Sequence, residues 1–151
     1  MIEIKDIQTA AAGVLQKNGY SVVASEVQEG FEKPVCFVKV LPVSVTLESR
    51  FTEFVTVGVE IAYHPVVETR EELITNAENI KRIFLYAPLA VKDRFLSVNE
   101  ITFDADKSAL IAYFELEYLQ ETETTDETLP KMENLNERVV TESYGTSSNT
   151  D

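Results

Sequence analysis

The chain predicts an α+β fold: a mainly antiparallel β-sheet with two α-helices packed on one face and a long central hairpin. Three observations carry this expectation. Two apolar-rich runs, Val35–Leu47 and residues 51–63, are separated only by Glu48, Ser49 and Arg50. Two other segments space their apolar residues three and four apart, as helices do. The order helix, strand, long hairpin, helix, hairpin contains no clear strand–helix–strand repeat, so neighbouring strands mostly join as hairpins.

The hairpin is the best marked of these elements. In residues 51–63 the odd positions Phe51, Val55, Val57, Val59, Ile61 and Tyr63 are apolar, and Thr52, Thr56 and Glu60 fall between them. A period of two puts the two sets on opposite faces of a strand. In the first run Phe37, Leu41, Val43, Val45 and Leu47 share one parity, while Cys36, Val38 and Val40 share the other. Apolar on both sides, it reads as an inner strand or one covered by a neighbouring subunit. The β-branched and aromatic content favours strands in both runs, and the short connection makes them antiparallel neighbours. At about 3.3 Å per residue each strand would reach roughly 43 Å, more than twice the usual length. Such a hairpin extends past its own core and presents sheet to another body.

The remaining elements follow in order. Residues 4–18 place apolar side chains at positions 4, 7, 11, 14 and 15, an amphipathic helical stripe with Asn18-Gly19 as its stop. Residues 20–27 read as a strand, and residues 28–34 as a loop closed by Pro34. Thr69 and Glu72 fit a capping box that opens a second helix, with Leu73, Ala77, Ile80 and Phe84 on one face. Pro88 closes that segment. Residues 95–103 and 109–119 read as two more strands, joined by the turn-rich Asp104-Ala105-Asp106-Lys107-Ser108. Leu110, Ala112, Phe114, Leu116 and Tyr118 form the core face of the last strand, and Glu115 and Glu117 lie on the other.

With 151 residues the chain suits one folded domain, expected over residues 1–120, followed by an acidic tail over residues 121–151. The body carries 18 acidic and 11 basic residues, the tail 8 and 2, and the formal net charge is −13. Charge of this sign argues against binding nucleic acid through its phosphates. It does not exclude a surface past which DNA slides without sticking. No apolar run is long enough to cross a bilayer, and the start resembles no signal peptide, so no membrane partner is expected. A single cysteine points to assembly in a reducing, cytoplasmic setting. The tail's composition is that of a solvated, disordered segment, but Leu129, Met132, Leu135 and Val139 recur every three or four residues, enough for a short helix or a segment that docks onto a partner.

The chemistry in the sequence is sparse. His64, the one histidine, reads as a strand-terminal residue, because no Ser or Cys stands with it in a triad pattern. Cys36 lies inside an apolar strand and reads as a small buried hydrophobe rather than a nucleophile. Glu71 and Glu72 suit the electrostatics of a helix start. Glu115 and Glu117 share a strand face, where a solvated edge or a subunit contact explains them better than a cation. Asp104 and Asp106 lack the later Gly and Glu of a calcium loop. One Cys and one His allow no zinc spacing, and five glycines form no phosphate loop. No catalytic residue, metal or cofactor is expected.

One family pattern stands out. The helix ending in Asn18-Gly19-Tyr20, the segment Val-Gln-Glu-Gly-Phe-Glu-Lys-Pro-Val-Cys-Phe-Val-Lys-Val at 27–40, and the strand over residues 50–65 resemble the tail terminator, or tail completion, proteins of tailed phages and phage-derived contractile particles. The likeness spans residues 1 to about 120 and is most specific over 26–65. It implies a structural, non-enzymatic protein, a homo-hexameric ring that caps the tail tube, ends its growth and joins it to a head or collar. Its partners would be copies of itself and the tail tube protein, with sheath, collar or head connector as further candidates and DNA at most passing through the lumen. Assembly would occur in the bacterial cytoplasm, and a headless, bacteriocin-like particle is also compatible. A head-completion or neck protein, or a small α+β binding domain without a phage role, are the alternatives. On this reading the hairpin tip, Leu47, Glu48, Ser49, Arg50 and Phe51, is the expected contact with a neighbouring subunit or the tube.

Overall fold

In the computed structural model, which describes residues 1–24, 31–106 and 108–122, a five-stranded sheet carries two helices and a small hairpin on one face. The expected α+β fold, mainly antiparallel with both helices on one side, is what the chain forms. In chain order the elements are α1 (Ile4–Lys17), β1 (Val22–Ala24), β2 (Val35–Leu47), β3 (Thr52–His64), α2 (Arg70–Phe84), β4 (Leu89–Val91), β5 (Arg94–Leu96), β6 (Ile101–Ala105) and β7 (Leu110–Glu121). The main sheet runs β1-β2-β3-β7-β6, and β4 and β5 pair separately. Residues 121–151 were expected as a tail; Leu129, Met132, Leu135 and Val139 lie outside the described residues.

The helices begin and end as their sequences dictate, with one exception. Asn18 caps α1, and Gly19 follows at φ +93°, a conformation glycine adopts freely. At the start of α1 the Glu3 N–H donates to Asp6 Oδ2 at 2.8 Å, a cap the sequence did not advertise. That backbone bond, helped by Lys92, holds the Asp6 carboxyl below its ordinary range. On α2, Thr69 Oγ1 accepts from the Glu72 N–H at 3.2 Å, as a capping box requires. The reciprocal half does not form, because the Glu72 carboxylate turns inward to the sheet instead.

One buried layer joins helices and sheet. Ile7, Ala11 and Leu15 of α1, with Leu73, Ile80 and Phe84 of α2, pack on Cys36 and Val38, on Val57, Val59 and Ile61, and on Ala112, Phe114 and Leu116. The register agrees: Val59 lies opposite Val40 on one side and Phe114 on the other, so these side chains share a face. The β4–β5 hairpin closes the layer, with Leu89, Val91 and Leu96 buried. Lys92, at its turn, pairs with Asp6 at 3.3 Å and donates to the Met1 carbonyl at 3.1 Å.

Two expectations need correction, and one pairing is added. The run 95–103 is two strands in different sheets, because Ser97 to Glu100 bend away before β6 rejoins the main sheet. β1, the strand expected ahead of the long hairpin, pairs with β2 in parallel. And the odd-position run of β2 does not share a face. The β2–β3 register shifts between Pro42 and Ser44, and the extra residue inverts the alternation beyond it. Leu41, opposite Gly58, therefore faces away from the helices, whereas Val45, opposite Val55, faces their side.

Candidate functional site

The flanking strands are short, and this creates the site. β1 accompanies β2 only along Cys36–Val38, and β6 accompanies β7 only along Leu110–Phe114. Beyond these points the sheet narrows to β2, β3 and β7, and among the described residues no further strand pairs with either outer edge. Side chains guard part of the exposed backbone: Gln8 Nε2 donates to the Val38 carbonyl at 3.4 Å, and Arg94 donates to the Leu119 carbonyl. Pro42 and the bulge beside it further blunt the β2 edge against unspecific pairing.

At this end β2 and the turn are apolar and exposed, while Val55 of β3 and Leu116 and Tyr118 of β7 stay buried. Leu41 is 41% exposed, Val43 48%, Val45 60%, Leu47 69% and Phe51 55%, spread over both faces of β2 because of the register shift. The turn itself is ordered by the Glu48 and Ser49 N–H groups, which donate to the Thr52 carbonyl at 2.9 and 3.1 Å. Phe51 N–H donates to Ser49 Oγ at 3.2 Å, and the Arg50 guanidinium lies 5.6 Å from the Phe51 ring centre. β7 ends at the same place, where the Thr122 N–H reaches the Phe51 carbonyl at 2.9 Å. The five expected tip residues, Leu47 to Phe51, thus form one ordered, protruding knob; what they touch is taken up below.

The helix-free face of the sheet is acidic. Glu60, Glu115 and Glu117 all point to it, and the cation across the ladder from Glu60 is Lys39. Tyr113 lies over Gly58, where a Cβ would meet its hydroxyl at 2.4 Å, so only glycine allows that close approach without displacing the ring. Burial and the neighbouring Glu115 raise the Tyr113 hydroxyl's pKa, and it donates to Glu115 Oε2 at 2.9 Å.

The residues that could carry catalysis are kept apart. Cys36 is fully buried on the helix side, where burial pushes its thiol up to about 12, far from the thiolate form. His64 pairs with Val35 and so points to the opposite face, its ring against Phe31 and Phe37 with centres 5.7 and 5.3 Å away. Burial, and then Lys33, lower its pKa. Among the described residues no group of three His, Cys, Asp or Glu could hold a metal ion. Replacing Cys36 by Ser and His64 by Gln together is expected to lower thermal stability and leave assembly unchanged. Thermal melts and size-exclusion chromatography of the folded double variant check this, and a changed oligomeric state in a folded variant would reveal a role beyond stability.

A second polar feature, a buried network, escaped the sequence reading. Tyr20 Oη donates to Asn76 Oδ1 at 2.7 Å, and Asn76 Nδ2 donates to the Glu72 carbonyl at 2.8 Å and to Glu72 Oε2 at 3.1 Å. Tyr63 Oη donates to the same carboxylate at 3.2 Å, and burial followed by Glu72 pushes the phenol up to about 12. The only signal in the sequence was an asparagine on an otherwise apolar helix face. The network ties α2 to β3 and to the end of α1, and serves the fold.

Among the described residues, β2 beyond Val40 and the turn at 47–51 thus present ordered, exposed apolar side chains. The sequence profile described as phage tail terminator protein matches residues 6–128, and the chain belongs to that family. It is a family of phage tail structural proteins, not of enzymes. A comparison with curated proteins returns no match. One solved structure covers 83% of this chain and 100% of its own at 9% identity, with a TM-score of 0.48, too loose a likeness to bear on function. No described helix is long and apolar enough to cross a membrane.

Proposed function

We propose that the chain assembles in the bacterial cytoplasm as a homo-hexameric ring that caps the tail tube, stops its growth and offers a joining surface to a head or collar. The observation that carries this reading is the exposed apolar run of β2 and the turn that ends it, Leu47 to Phe51. An apolar projection of this kind is stabilised only when another subunit covers it. The tail tube protein and neighbouring copies are the partners it suits, with sheath, collar or head connector on the opposite side. The acidic helix-free face and the net charge of −13 suit a lumen through which a polyanion passes without being held.

Particles lacking the protein are expected to carry overlong tubes in electron micrographs. Replacing Glu48 and Arg50 by Ala should leave the melting temperature within about 2 °C of the parent, since both are exposed. The same double variant should fail to hold tubes at their normal length. Normal tubes from this variant would reduce the tip charges to features of a solvated loop.

A further inference from the structure

A groove lies at the end of the molecule opposite the tip, between α2 and the last strand of the sheet. It encloses about 570 Å³ and is lined by Leu73, Ile74, Ala77, Phe103 and Ala105, with Glu68, Arg70 and Asp106 at its mouth. Ile74 is 53% and Phe103 39% exposed, although they flank the buried Leu73. The volume falls in the range of ~300–1,000 Å³ that receives compact apolar groups, but no convergent polar groups line it to orient a small ligand. Large apolar side chains from a partner are what it fits.

We infer that this groove receives the hairpin tip of a second copy, Leu47 and Phe51 entering between Ile74 and Phe103. The inference rests on the ring reading and names the surface on which the tip lands. Two features choose this occupant. The tip carries an acid, Glu48, and the groove offers the complementary Arg70, whereas Glu68 is paired with Lys33 and Asp106 accepts from Ser108 and Ala109 of its own turn. In addition, β7 runs from the groove wall at Leu110 to Glu121 beside the tip. At about 3.3 Å per residue those 12 residues separate the two surfaces by roughly 40 Å, so they cannot meet within one chain. Knob and groove at opposite ends of one molecule make a head-to-tail contact, the kind that closes into rings.

Cross-linking tests the contact directly. The full chain carrying both Ser49→Cys and Ala105→Cys, free and bound to tubes, is oxidised and run on a non-reducing gel; Cys36 is fully buried and does not compete. The expected result is a ladder of linked dimers, trimers and higher species, with each single variant staying monomeric. A double variant that stays monomeric in both settings overturns the inference. So do dimers from Ser49→Cys alone, which would mean that tips meet tips. A ladder that appears only after truncation beyond Thr122 would mean that residues 123–151 fill the groove, and also overturns it. The two readings fail separately. Tubes of normal length without a ladder leave the cap and remove this docking; a ladder from a protein whose loss leaves tube length unchanged keeps the docking and removes the cap.

Discussion

Replacing Phe114 by Ala will lower the unfolding free energy by about 3–5 kcal/mol, the cost of opening a large cavity where no side chain can collapse into it. Phe114 is 1% exposed, stands at the centre of β7 opposite Val59, and meets the Phe84 ring of α2 at 5.0 Å between centres. Ile101 of β6 lies across from it on the other side. One ring therefore holds three strands and a helix together, and its loss loosens all of them at once. Urea denaturation of the purified chain gives the value from the shift in midpoint. Leu119→Ala on the same strand, at a half-exposed position, is the control and should cost under about 1 kcal/mol. A loss at Phe114 no larger than that of the control would mean that α2 does not rest on the middle of the sheet.

The second large effect belongs to Asn76. Changing it to Leu keeps the volume but leaves the Tyr20 hydroxyl without its acceptor and removes a donor from the Glu72 carboxylate. A buried polar group left without a partner costs about 1–3 kcal/mol. The coupling can be isolated, because Tyr20→Phe removes the orphaned hydroxyl. In the Asn76→Leu background that second change should cost almost nothing, or restore some stability, although alone it should destabilise. Additive losses in this double-mutant cycle would show that the two side chains do not act together.

Much of this architecture was legible in the sequence because it rests on periodicities that a chain cannot hide. The alternation of β3 and β7 placed their buried faces, and the helical stripes gave α1 and α2 nearly to the residue. The failures share a cause: each depends on something one residue long or on a partner far away. Nothing in residues 95–103 announces that Ser97 to Glu100 leave the sheet, since the residues on either side are equally strand-like. The inward turn of Glu72 is set by Asn76 and by Tyr63 on another element, so local capping rules gave only half its role. Strand length alone placed the turn at residues 48–51. The groove between α2 and β6 was not legible, because those elements meet only through tertiary folding.

The register shift at Val43 divides β2 into two frames, as an inserted letter divides a text. Before it even-numbered side chains address the helices; after it odd-numbered ones do. Because a strand alternates strictly, removing a residue between Cys36 and Val40 would turn part of the strand over, taking apolar side chains out of the core. Losing Val43 would turn nothing over, since both frames would simply meet. The strand thus has one position at which its length is free to vary, and that position sits where the buried half of the hairpin ends and the projecting half begins.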